Sequence, residues 1–99
     1  MSRIYSDPRP QYFKEDGITV NSNGKLYFWQ PGPSTTTPKP VYSDIALTID
    51  LTNPVNLDAN GRAPAMYLNG DYNVQHVEVT ATGEVQIWRV DYYEPPYLQ

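Results

Sequence analysis

His76 is the only histidine among 99 residues, and the chain has no cysteine. Any nucleophile activated by an imidazole would have to be built around that one ring. Nothing flanking it supplies a nucleophile elbow or an orienting carboxylate motif, so it reads as a half-exposed strand histidine without a catalytic role. The eleven carboxylates are the remaining acid–base candidates, and a glycosidase pair would need two of them roughly 5 to 10 Å apart across a cleft. Four of them stand in turn sequences instead: SD at 43–44, LDANG at 57–61, NGD at 69–71 and TGE at 82–84. There a short polar side chain bonds nearby backbone amides. DANG at 58–61 shares its first residues with a calcium loop but lacks the alternating oxygen ligands and the closing glutamate. No catalytic residue, metal site or cofactor is assigned, and the expectation is a protein that is not an enzyme.

Aromatic side chains are the other chemical resource. Thirteen residues are aromatic, nine of them tyrosine. Such rings can stack on sugars, or they can anchor protein interfaces through large, rigid, amphipathic contact area. Tyr5, Tyr12 and Phe13 fall near one end of the chain, and Tyr92, Tyr93 and Tyr97 near the other. By sequence all six lie outside any core a single subunit would build, which makes them candidate partner-binding anchors.

The elements that position these residues follow from local pattern. One domain is the working count for this length, divided into an extended arm (1–16), a β domain (17–94) and a tail (95–99). The arm lacks any period, carries Pro8 and Pro10, and is expected to be removable without loss of folding. ITV at 18–20, NSNG at 21–24 and KLYFWQ at 25–30 read as a hairpin, with Leu26 and Phe28 on one face and Tyr27 and Trp29 on the other. Four prolines and a Ser/Thr run in PGPSTTTPKP (31–40) make a solvated crossing. SDIALTID (43–50) fits a helical turn or a strand. The Asn60–Gly61 and Asn69–Gly70 pairs read as structural turns of the primed hairpin type. DYNVQHVEV and EVQIWRVDY alternate and are joined by TATGE as a tight hairpin, with one slip at His76–Val77 where a bulge would restore the apolar face. Pro95 and Pro96 end the ladder. The fold class predicted is all-β: a small antiparallel sandwich or barrel-like domain.

Composition narrows the partners. Hydrophobic residues make up 39% of the chain and prolines number ten, so a lone subunit is short of core and an oligomer, most simply a trimer, is expected. A net charge of −4 with neither sign in a block argues against nucleic acid and against anionic membrane. No stretch approaches the roughly 20 apolar residues of a membrane span, and the first residues lack the apolar core of a signal peptide.

Two long segments, NGKLYFWQPGPSTTTPKPVYSD (23–44) and LTNPVNLDANGRAPAMYLNGDYNVQHVEVTATGEVQIW (51–88), carry several motifs in a fixed order. They comprise a Gly-Lys-hydrophobic-Tyr strand, a TTTPK crossing followed by YSD, an NPV-LDANG-A segment, and a YL-G-Y-V strand closed by G-IW. Over about residues 17 to 90 this order resembles the N-terminal, virion-anchoring (head-binding) domain of tailspikes and tail fibres of short-tailed bacteriophages. The resemblance implies a small, all-β, trimeric, non-enzymatic module. Its partners would be its own copies and other phage virion proteins, in the tail or portal-adaptor complex or the capsid. It would be located in the virion, and in the host cytoplasm during assembly. In that family the domain precedes a long fibre or a glycan-cleaving β-helix, whereas this sequence ends at Gln99. The expectation is therefore either an excised anchoring module or a free-standing adaptor. The alternatives are a capsid decoration protein (head fibre or cement) and a carbohydrate-binding module.

Overall fold

The computed structural model describes residues 2–4 and 11–94. Among them are six strands and no helix: β1 (Ser2–Ile4), β2 (Lys25–Trp29), β3 (Val55–Asn56), β4 (Tyr67–Asn69), β5 (Tyr72–Thr80) and β6 (Gly83–Tyr93). One sheet has the order β3-β2-β5-β6 and a second pairs β1 with β4. Every pairing is antiparallel, as the alternating patterns and closely spaced turns predict. Tyr5, Tyr97 and the Pro95–Pro96 ladder end lie outside the described residues.

Alternation in KLYFW decides the faces of β2. Leu26 and Phe28 are fully buried, while Lys25, Tyr27 and Trp29 are half-buried on the other face. The hairpin expected between residues 18–20 and 25–30 does not form. β2 lies between β3 and β5, and Val20 bridges Phe13 instead. Three residues offer few ladder positions against the nine of β5. The chain also turns away at Asn21–Gly24, where Asn23 takes φ 58° and the Gly24 amide bonds the Asn21 carbonyl at 3.2 Å. A Cβ on Gly24 would lie 2.1 Å from Asn21 Nδ2, so this close approach requires glycine.

β5 and β6 form the tight hairpin read from TATGE, with Thr80 opposite Gly83. The register shifts at His76/Val77, where the alternation slips, but the extra residue, Ile87, is on β6. Against β2 the register runs straight, Leu26 to His76 and Lys25 to Val77. His76 therefore takes the core-face position and is fully buried, which corrects its reading as half-exposed, and Val77 takes the opposite face.

The core lies between the sheet and segment 41–68. Leu26, Phe28, Tyr72 and Val74 pack against Val41, Leu57, Ala63, Met66 and Leu68, each fully buried large side chain contributing about 1.5–3 kcal/mol. Phe28 and Tyr72 meet edge-on at 5.9 Å. Two asparagines tie loops to this frame. Asn53 Oδ1 accepts from the Phe28 amide at 3.1 Å, and its Nδ2 donates to the Phe28 and Lys39 carbonyls at 2.8 and 3.1 Å, a side chain in the place of a neighbouring strand. Buried Asn73 donates to the Gly32 carbonyl at 2.6 Å and to Thr35 Oγ1 at 2.8 Å. With Arg89 and Asp91 bonded to Thr35 and Ser34, it fastens the proline-rich crossing to the sheet. Residues 43–50 are a loop closed by Asp44, whose carboxylate accepts from the Thr48 and Ile49 amides.

Candidate interaction surfaces

No concave pocket forms among the described residues, and no group of three or more His, Asp and Glu among them is placed to hold a metal ion. The chemistry on offer is that of surfaces.

The face of the sheet away from the core carries a polar–aromatic ladder. Tyr27 and Trp29, two apart on β2, stack at 4.9 Å and 12°, so each ring covers a face of the other. Their polar ends are engaged as well. The Tyr27 hydroxyl donates to Glu84 at 2.7 Å, Lys25 pairs with Glu84 at 3.3 Å, Trp29 Nε1 donates to Gln75 at 3.2 Å, and Gln75 donates to Gln86 at 2.9 Å. The carboxylate acceptor pushes the Tyr27 hydroxyl up to about 12, and the same bond holds the Glu84 carboxyl below its usual range. A sugar platform needs free ring faces, and this ladder spends one face of each ring internally.

The core face of β6 is different. Directly opposed residues of an antiparallel pair share a face, which puts Val85 (opposite Glu78), Trp88 (opposite His76) and Val90 (opposite Val74) on the core side. Trp88 is packed against the core and tilts toward Tyr12 at 6.3 Å. Val85 and Val90 remain 52% and 45% exposed. Tyr92, in a left-handed conformation (φ 59°) with its amide bonded to Asn73 at 2.9 Å, is 59% exposed. Among the described residues β6 is also the outer strand of its sheet, paired on one edge only.

The six aromatic anchors thus separate. Tyr12 and Tyr93 pack against the chain's own core, contrary to the reading that placed them outside it. The Tyr12 amide reaches the Gly61 carbonyl at 2.8 Å, and Tyr93 lies opposite Tyr72, where burial pushes its hydroxyl up. Phe13 and Tyr92 are exposed. The expectation that the arm is separate from the fold also needs correction, since β1 pairs with β4, Gln11 bridges Arg62 and Lys14 pairs with Glu78 at 3.5 Å.

Neither Asn-Gly pair forms a primed hairpin turn, because only the glycines have positive φ, +72° at Gly61 and +81° at Gly70. Asn60–Gly61 sits in a loop closed by Asp58, whose Oδ1 accepts from the Asn60 and Arg62 amides at 2.8 and 3.0 Å. Asn69–Gly70 leads from β4 into β5, which belong to different sheets. Sequence reasoning missed Asn21, Asn53 and Asn73. Their side chains bond groups 14 to 56 residues away, and no local pattern announces such partners.

The chain matches no protein-family model and no curated protein.

Proposed function

We propose that the chain is a non-enzymatic structural module of a bacteriophage virion, a homotrimer that attaches a tail fibre or tailspike to the particle. The observation that supports this reading is the apolar row on the core face of β6. Val85 and Val90 point to the side of the sheet where a core belongs, yet among the described residues only Trp88 between them is packed against the core. Covering that row with a neighbouring copy would add about 25 cal/mol per Å² of apolar surface removed from water, in a domain whose own core is small. The ordered motifs over about residues 17–90 supply the class of particle. Phe13 is the outward anchor toward another virion protein.

An electron cryomicroscopy map of particles carrying the chain tests the proposal. Threefold sets of copies where fibres or tailspikes join the tail are expected. Copies on the head shell, or particles without the chain, would overturn it. So would hydrolysis of a host surface glycan by the isolated chain that is lost in His76→Ala or Asp58→Asn with the fold intact.

A further inference from the structure

We infer that His76 is an acid-sensitive latch: with its imidazole neutral it holds segment 11–21 against the sheet, and when the imidazole is protonated that segment is released. This inference is independent of the assembly reading.

Asn21 Nδ2 lies 2.7 Å from His76 Nε2 and 2.9 Å from the Val77 carbonyl. A carbonyl only accepts, so the end of the amide facing it is the NH2 group. Asn21 can therefore only donate to Nε2, which must keep its lone pair and leave the ring proton on Nδ1. Rotating the amide would bring Oδ1 against the Val77 oxygen. A second ring proton on Nε2 would face an N–H donor at hydrogen-bonding distance. Nδ1 and Asn21 Oδ1 have no hydrogen-bond partner among the described residues, so an imidazolium here would lack an acceptor at either nitrogen.

The surroundings reinforce this. His76 is fully buried, with Tyr12 at 5.0 Å and Trp88 at 5.2 Å and Leu26 opposite it on β2. The charged groups nearest by register on that face are Glu78 of β5 and Lys14 of the segment, paired with each other. Lys25 of β2 pairs with Glu84 on the other face, and Arg89 of β6 bonds Asp91. Asp58 and Arg62 stand in the loop that holds Tyr12 through Gly61. No carboxylate among the described residues bonds the ring. Burial accordingly holds His76 below its ordinary 6.5, at about 4.

A depressed histidine stabilises the closed state above the ordinary value, and that stability is lost as pH falls toward the depressed one. The segment is the side that yields, because β5 is held by full ladders to β2 and β6. Segment 11–21 has no strand ladder to the sheet: it is held by the single Gln11–Arg62 bridge, the Tyr12–Gly61 amide bond, the Gln11–Asn60 bond, the half-exposed Lys14–Glu78 pair and Asn21 itself.

Amide hydrogen exchange of the full chain, followed by NMR from pH 7.5 to 4.5, tests the latch. Protection of the Tyr12 and Asn21 amides is expected to fall about tenfold per pH unit below about 6.5, while the β2–β5 ladder amides keep theirs. The same fall is expected in Glu78→Gln, and none in His76→Phe. Protection that stays flat, that falls together with the whole ladder, or that falls equally in His76→Phe would overturn the latch. Should His76→Phe not fold, titration of the wild-type imidazole decides. A midpoint below 5 that coincides with loss of segment protection supports the latch, and a midpoint near 6.5 with the segment still protected overturns it.

Discussion

β2 and β6 carry the same kind of sequence and meet different fates. Both alternate apolar with polar residues, and both belong to one sheet. In β2 the apolar set is fully buried, whereas in β6 the set Val85, Trp88, Val90 has its outer members half exposed. Alternation fixes which face of a strand is apolar; it does not supply what covers that face. Segment 41–68 covers β2 and the middle of β5, and on β6 Trp88 is met by Tyr12 and His76. The difference is one of neighbours, and it locates where this chain has room for a second molecule.

Substitutions can break or sharpen that contrast. The largest effect is expected from Phe28→Ala, which should cost about 3–5 kcal/mol in denaturant unfolding, whereas Val90→Ala on a half-exposed site should cost under about 1 kcal/mol in the isolated subunit. Equal losses at the two sites would erase the distinction. The two glycines come next. A Cβ on Gly61 would meet the Tyr12 oxygen at 2.8 Å and the Asn21 nitrogen at 3.0 Å, both backbone, while at Gly70 the nearest atom is Lys39 Nζ at 3.4 Å. Gly61→Val should therefore cost about 3 kcal/mol and Gly70→Val about 1 kcal/mol, the latter from positive φ alone, both measured by thermal unfolding. Tyr12→Ala should cost about 2 kcal/mol, since it uncovers Trp88 and His76. By the same contact, deleting residues 2–13 should destabilise the domain rather than spare it.

The smallest effect lies on the outward ladder. The Tyr27 hydroxyl holds the Glu84 carboxyl below its usual range, so its contribution is present above that range and fades as pH falls through it. Glu84 is exposed and solvent-screened, so Glu84→Gln should change stability by only a few tenths of a kcal/mol, with a correspondingly weaker acid dependence of the melting temperature.

What sequence made legible was what is local. The faces of β2, the TATGE hairpin and the site of the register shift all depend on residues within a few positions of each other, where period and turn chemistry act. What it hid was non-local. Val20 finds Phe13 and not β2 because β5, fifty residues on, offers the longer ladder. His76 fills a core position because Asn21, 55 residues away, gives its ring a donor. Tyr12 looked like part of a free arm because nothing near it in sequence shows that Gly61 will present a carbonyl to its amide. For the surfaces, pattern alone separated outward Phe13 and Tyr92 from inward Tyr12 and Tyr93 no better than chance, since all four are aromatic residues near the chain ends.

The central proposal is that the uncovered core face of β6 is a contact between copies. Sedimentation velocity at micromolar concentration, on the wild-type chain and on a Val85→Ser, Val90→Ser double variant, measures this directly. The expected result is three times the mass of one chain for the wild type and a single folded chain, with unchanged far-ultraviolet circular dichroism, for the variant. A wild-type chain that sediments as a monomer and unfolds cooperatively at that concentration would contradict it.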